Sequence, residues 1–187
     1  MSLLVFCVEG PSEKALLECL LPRVLPNHCG YQVIQFEGKQ DMEKRLLGRM
    51  RAWRTPDTAF VVLRDQDSAD CEKVKAELTG ICEQTGRENF LVRIACHELE
   101  TFYLGDLAAV ERGLGLPGIA REQNRARFRV PDAIAAPAEE LKRLTKGKFQ
   151  KLRGARAIGP HLSLEGNRST SFGHFLSGIE RIIGNMT

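Results

Sequence analysis

Short apolar runs alternate with amphipathic segments through the first hundred residues of this chain. The runs cover residues 2–8, 31–36, 59–64 and 90–95. The segments between them, with apolar residues at helical spacing, cover 11–25, 40–53 and 69–83. Alternation of this kind predicts right-handed βαβ units, and therefore a parallel sheet with helices on both faces. We expect an α/β fold of the Rossmann-like type.

The sequence changes in character after Glu98. Apolar spacing predicts two short helices up to Leu114, and the stretch 115–132 is rich in Gly, Pro and Arg and predicts a loop. A further helix is predicted over 138–149, interrupted or ended by residues 146–148 (KGK), and Ser169 is placed to cap a last apolar helix. We therefore expect an α/β core over residues 1–115 and a basic, mostly helical extension over 116–187 packed on it.

The net charge of +3 conceals an uneven distribution. Residues 1–120 hold 14 Lys and Arg against 18 Asp and Glu, whereas residues 121–187 hold 13 against 6. An acidic core beside a basic extension suits a metal site next to a surface that binds a polyanion. The extension also carries a dense basic stretch, which is suited to backbone phosphates: Lys146, Lys148, Lys151, Arg153 and Arg156. A solvated basic face explains this charge equally well.

Targeting signals and cysteine motifs are missing from the sequence. No run approaches about 18 apolar residues, so we expect no membrane span. The first apolar run is too short for a secretory signal and leads directly into Glu9. The six cysteines are far apart, without a C-x-x-C pair, which predicts reduced, buried thiols and no structural zinc. These features favour a cytoplasmic protein.

Pairs of carboxylates follow three of the predicted strands. They are Glu9 with Glu13, Asp65 with Asp67, and Glu98 with Glu100. The carboxyl ends of parallel strands open on one edge of a sheet, so these groups can converge there. Converging carboxylates raise one another's pKa unless a cation neutralises them, and Mg²⁺ takes oxygen ligands. The competing interpretation is that Asp65 and Asp67 merely cap the next helix.

Three motifs together give this chain a family resemblance: residues 8–13 (VEGPSE), 65–67 (DQD) and 98–104 (ELETFYL). They resemble a Toprim-like domain, and most closely the bacterial group called domain of unknown function 4276, over nearly the whole chain. Toprim domains occur in type IA and II topoisomerases, bacterial primases, small maturation ribonucleases and the overcoming-lysogenization-defect (OLD) nucleases. The resemblance implies the same fold class and a site at the strand ends.

The resemblance also implies roles for particular residues. Glu9, Asp65 and Asp67 would hold Mg²⁺ or Mn²⁺, and Glu9 would also be a candidate acid or base. The nuclease branch shares the Glu9-to-Glu13 spacing, which adds Glu13 as a metal ligand. Its later acidic ligand corresponds to Glu100 or Glu98, and we prefer Glu100. A late catalytic lysine corresponds loosely to Lys148 or Lys151, of which we select Lys151.

The chain also departs from its relatives. It has no topoisomerase tyrosine in a recognisable setting, since Tyr31 and Tyr103 are both expected to be structural. It contains no P-loop and none of the ATPase portion that OLD proteins carry, so any ATPase would be a separate partner chain. The resemblance thus implies a metal-dependent nuclease acting on DNA or RNA, as the effector of a bacterial defence system against phage.

Two other functions compete with cleavage of nucleic acid. The first is a non-cleaving nucleic-acid-binding or regulatory Toprim module. The second is nucleotidyl or phosphoryl transfer on a small substrate. A broad basic groove beside the carboxylates favours a nuclease, whereas a closed small pocket favours transfer.

Overall fold

The central feature is a four-stranded parallel sheet in the order β2-β1-β3-β4. The computed structural model describes residues 2–186. The strands are β1 (Ser2–Val8), β2 (Cys29–Gln35), β3 (Thr58–Asp65) and β4 (Phe90–Ala95). The two inner strands, β1 and β3, are almost entirely buried, as continuous apolar strands between two helix layers should be. The predicted α/β fold is confirmed.

The helices alternate with the strands and then continue beyond them. They are α1 (Pro11–Val24), α2 (Lys39–Ala52), α3 (Cys71–Glu83), α4 (Thr101–Leu104), α5 (Leu107–Leu114), α6 (Pro137–Leu144), α7 (Lys151–Ile158) and α8 (Thr170–Gly184). Short 3₁₀ turns cover Ala120–Asn124, Ala126–Phe128, Pro131–Ala133 and Gly159–His161. Within residues 2–186, no helix combines the length and apolarity needed to cross a membrane.

Each face of the sheet has its own hydrophobic cluster, because side chains alternate along a strand. Val5 and Cys7 of β1 pack with buried residues of α2 and α3. Leu4, Phe6 and Val8 point to the other face, against α1 and the helices of the C-terminal region. Buried aromatic residues from beyond residue 115 belong to this second cluster. The predicted extension therefore shares its core with β1, while the boundary at residue 115 stays a prediction.

The helix predicted over 138–149 ends where residues 146–148 were expected to interrupt or end it. Helix α6 ends at Leu144, because Lys146 and Gly147 adopt positive φ angles of 51° and 80° that no right-handed helix accommodates. A separate helix, α7, begins at Lys151 and was not predicted. It packs closely on Phe149: a Cβ at Gly154 would lie 2.3 Å from the Phe149 ring. The predicted loop 115–132 contains three 3₁₀ turns rather than only irregular chain.

Candidate functional site

The candidate site is a cleft of about 510 Å³ at the carboxyl end of the sheet. Five of the residues singled out from the sequence line it: Glu9, Glu13, Asp65, Asp67 and Lys151. Glu9 follows β1 directly, and Asp65 is the last residue of β3. The fold thus brings together side chains that are up to 142 positions apart in the sequence. Lys151 comes from α7, the helix that was not predicted.

Glu13 reaches the cleft because the turn after β1 is tight. Gly10 comes just before α1, and a Cβ on it would lie 3.1 Å from Glu13 Oε2. Pro11 then begins the helix, where its missing N–H leaves no hydrogen bond unmade. Glu13 lies in the first turn and is only 7% exposed. The turn therefore holds a nearly buried carboxylate beside Glu9.

The turn after β3 is held in an unusual backbone conformation. Asp67 and His97 have positive φ angles of 56° and 58°, which side-chain-bearing residues rarely adopt. The two strained residues are connected, since the Asp67 N–H donates to the His97 carbonyl at 2.6 Å. Gln66 adds a second link, because its Oε1 accepts from the His97 N–H at 3.2 Å. Backbone strain of this kind is common where a side chain must be aimed at a site.

Burial dominates the electrostatics of the carboxylates. Burial raises the pKa of Asp65 well above its ordinary value, and the charges of Glu13, Glu100 and Glu9 raise it further. Burial also raises the pKa of Glu9 to about 7, against the lowering effect of Arg64. The pKa of Glu100 is likewise raised to about 7 by burial, although Lys151 lowers it. The four carboxylates are therefore close enough to repel one another in a poorly hydrated place.

Basic side chains partly neutralise this negative charge. Arg64 Nε lies 3.3 Å from Glu9 Oε1, as an ion pair without hydrogen-bond geometry, and Arg64 Nη1 lies 2.6 Å from Glu43 Oε1. On the exposed rim, Lys39 Nζ lies 3.3 Å from Asp67 Oδ2. Sequence reasoning missed both cations. Arg64 did leave a signal, as the one charge in the apolar run before Asp65, whereas nothing marked Lys39.

Lys151 pairs with both members of the third acidic pair. Its Nζ lies 3.2 Å from Glu98 Oε1 and 3.5 Å from Glu100 Oε2. Burial acts to lower the pKa of Lys151, but Glu100 and Glu98 raise it above its ordinary value. The alternative lysine, Lys148, is exposed and makes no ion pair within residues 2–186. The structure therefore places Lys151, and not Lys148, beside the carboxylates.

Glu98 and Glu100 differ in what their oxygens contact. Glu98 Oε2 accepts a hydrogen bond of 2.8 Å from the Ala138 N–H at the start of α6, so this carboxylate ties α6 to the end of the sheet. Glu100 is 1% exposed, and its Oε2 accepts no hydrogen bond. Of the two, only Glu100 has an oxygen without a hydrogen bond, and that oxygen faces the Lys151 ammonium.

The donor chemistry of the cleft fits a hard divalent cation. Three buried carboxylate oxygens lack a hydrogen-bond partner: Glu9 Oε1, Glu13 Oε2 and Glu100 Oε2. Buried polar atoms are normally satisfied, and carboxylate oxygens are what Mg²⁺ and Mn²⁺ bind. In the part of the chain that the structure describes, however, no three Asp, Glu, His or Cys side chains stand close enough to hold a metal without moving. The cleft therefore has the carboxylates that a divalent cation binds, but they lie too far apart to hold one without moving.

Tyr103 completes the buried surroundings of the site. Its hydroxyl group has no hydrogen-bond partner, and burial raises its pKa, as do the charges of Glu100 and Glu13. Its ring packs against Phe149 at a centroid distance of 6.2 Å. This environment agrees with the structural role expected for Tyr103 and excludes it as an exposed nucleophile.

The raised carboxyl pKa values predict that the metal-free protein loses stability as the pH rises from about 4.5 to about 7. A carboxyl group whose pKa is higher in the folded state binds its proton more tightly there. Its stabilising contribution is complete below its unfolded pKa and is lost as the pH rises through its folded pKa. Urea unfolding at pH 5 and pH 8 in EDTA measures this loss.

Glu100→Gln should show a smaller loss of stability between those two pH values than the wild type. The matched control is Glu165→Gln, at an exposed glutamate far along the chain, which should behave as the wild type. A wild type that becomes more stable towards pH 8 would contradict the electrostatic description of the cleft.

The fold is shared with two solved structures. One is the C-terminal region of the Burkholderia pseudomallei OLD protein, with a TM-score of 0.58 and 17% identity over 98% of each chain. The other is the C-terminal region of the Xanthomonas campestris pv. campestris OLD protein, with a TM-score of 0.51 and 19% identity over 98% of each chain. The expected relation to the OLD group is thus confirmed for the fold. No curated protein sequence matches the chain significantly.

The sequence itself matches a protein family over residues 8–180, from the last residue of β1 to within the last helix. This span includes every carboxylate of the cleft as well as Lys151. The chain belongs to the family described as Domain of unknown function (DUF4276).

Proposed function

We propose that this protein is a nuclease that uses Mg²⁺ or Mn²⁺ to hydrolyse phosphodiester bonds of DNA or RNA. The observation that carries the proposal is the group of buried carboxylates at the carboxyl end of the sheet, three of which have an oxygen without a hydrogen bond. Keeping such groups together costs stability, and a bound cation would offset that cost. The fold shared with the OLD C-terminal regions supports the same class of enzyme.

In this proposal each side chain has a separate task. Glu9, Asp65 and Asp67 would hold the metal, and Glu13 and Glu100 would complete or tune the site. The bound metal supplies activation of water and stabilisation of the leaving oxygen. Lys151, whose side chain is 47% exposed, stands where its ammonium can meet the charge that develops on the phosphate. Arg64 positions Glu9 through their ion pair.

The surface next to the cleft supports a polyanionic substrate. The five cations of the basic stretch predicted from the sequence, Lys146 to Arg156, are all exposed. Three of them, Lys151, Arg153 and Arg156, lie on α7, the helix that brings Lys151 to the cleft. Exposed lysines and arginines bind backbone phosphates without reading sequence. The cleft is also open rather than a closed small pocket, which favours a nucleic acid over a small phosphorylated substrate.

A non-cleaving regulatory or nucleic-acid-binding module is the second candidate function. The observation that favours it is the spread arrangement of the carboxylates, together with the ion pairs that already neutralise Glu9 and Glu100. In that case the carboxylates would be structural, and the basic stretch alone would bind nucleic acid.

Cleavage of end-labelled single- and double-stranded DNA and RNA tests the proposal. We expect cutting with Mg²⁺ or Mn²⁺ and none in EDTA. The assay is run with the chain alone and with a separately encoded ATPase, which we propose as partner because OLD proteins carry such a portion. Binding without cutting, in both settings and with every substrate, would establish the non-cleaving module instead. A role in phage defence would follow from cleavage and is part of the same proposal.

A further inference from the structure

A second cleft, of about 610 Å³, lies along the free edge of β4, away from the carboxylates over β1 and β3. Its floor is β4, and its walls are α3 and α8. Val92 and Ile94 give it an apolar floor, and Ser171 and Ser177 add hydroxyl groups. Its size is in the range of clefts that hold small ligands.

The polar residues that line this β4-edge cleft are basic or neutral. Lys75, Arg93, His174 and Arg181 all line it, and none of its lining residues is acidic. Within residues 2–186, none of these four side chains pairs with a carboxylate. Asp132 lies near one end, but it already accepts hydrogen bonds from Ser171 and its neighbours at the start of α8.

Arg93 is held in place rather than left free in solvent. Its Nε donates to the His174 carbonyl at 2.9 Å, and its Nη1 donates to the Val92 carbonyl at 3.0 Å. The guanidinium lies flat against α8 at Gly178, where a Cβ would be 2.6 Å from Nη2. Burial lowers the pKa of Arg93, and the nearby Arg181 lowers it further. Two arginines are thus kept close together without a counter-charge from the protein.

We propose that the β4-edge cleft is a binding site for a phosphate group. Arg93 supplies a fixed guanidinium, and Arg181 and Lys75 supply mobile charges at the rim. Guanidinium groups suit phosphate because their N–H groups match two oxygens at once. The phosphate comes either from a free nucleotide or from the backbone of a nucleic-acid strand. The site is independent of the proposed cleavage reaction.

Phosphate binding is measured by calorimetry, and by the shift in thermal unfolding, in EDTA so that no divalent metal takes part. The probes are inorganic phosphate, adenosine monophosphate and a single-stranded oligonucleotide without terminal phosphates. We expect the wild type to bind inorganic phosphate, and Arg181→Glu to weaken this binding by about 10-fold or more. Arg49→Glu, the same reversal of charge at an exposed arginine of α2, should bind as the wild type.

The remaining variants separate this site from the carboxylate cleft. Asp65→Asn should leave phosphate binding unchanged, so loss of nuclease activity and loss of phosphate binding can be told apart. Arg93→Lys keeps the charge but loses the fork of donors, and should also weaken binding. If Arg181→Glu weakens the binding of adenosine monophosphate, the phosphate group comes from a nucleotide. If it weakens the binding of the oligonucleotide, the phosphate group comes from a nucleic-acid strand. Equal phosphate binding by Arg181→Glu, Arg93→Lys and Arg49→Glu, or no binding by the wild type, overturns the proposal.

Discussion

Asp65→Asn is expected to abolish metal-dependent cleavage while making the metal-free protein more stable. The cleavage rate should fall by about 10³-fold or more, because the substitution removes a central metal ligand. At pH 8 the free energy of unfolding should rise by about 1 kcal/mol or more, because burial and three neighbouring carboxylates oppose the ionisation of Asp65 that the unfolded chain allows. Cleavage assays and urea unfolding in EDTA measure the two effects.

Asp70→Asn is the matched control, since the same substitution is made five positions later in the same turn. Asp70 caps α3 by accepting from the Lys73 N–H at 2.9 Å, and asparagine caps helices about as well as aspartate. This variant should cleave as the wild type. If Asp65→Asn cleaved normally in Mg²⁺, Asp65 would not be a metal ligand, and the site would have to be assigned anew.

The sheet was predictable because its strands are fixed by local sequence patterns. The apolar runs of β1 and β3 admit few interpretations, and the boundaries of β1 and β4 agree with those predicted. The region after residue 115 was less predictable, because its structure depends on tertiary contacts. Helix α7 is short, and it is stabilised by Phe149 packing on Gly154, which no pattern of spacing reveals.

The acidic part of the site could be predicted for the same topological reason. Strand ends in a parallel sheet meet at one edge, so Glu9, Asp65 and Glu100 were expected to converge, and the structure brings them together. Their counter-ions were harder to predict. Arg64 stands out only as the one charge in an apolar run and Lys39 not at all, so the fold is needed to show that both lie against carboxylates. A ligand set can thus be predicted from its chemistry, whereas the charge balance around it requires coordinates.

Lys151→Met should also reduce cleavage, by about 10²-fold, but with the opposite effect on stability. The ammonium is within 3.5 Å of both Glu98 and Glu100, so its removal leaves two carboxylates without their cation. The pKa of Glu100 should rise above its present value of about 7, because Lys151 lowers it. We expect a loss of about 1 kcal/mol in the free energy of unfolding at pH 8, measured in EDTA, because solvent screens part of the interaction of a half-exposed ammonium.

Lys148→Met removes the same charge three positions earlier, from an exposed side chain, and should preserve both stability and the cleavage rate at saturating substrate, because one of five surface cations adds only to substrate affinity. A loss of cleavage in this variant but not in Lys151→Met would assign the catalytic lysine to Lys148. The two predicted losses of activity, in Asp65→Asn and Lys151→Met, are accompanied by stability changes of opposite sign. Misfolding would destabilise both proteins. If Asp65→Asn is inactive but more stable than the wild type, and Lys151→Met is inactive but less stable, misfolding does not explain both losses. The charge balance of the cleft, and not the integrity of the fold, then limits the reaction.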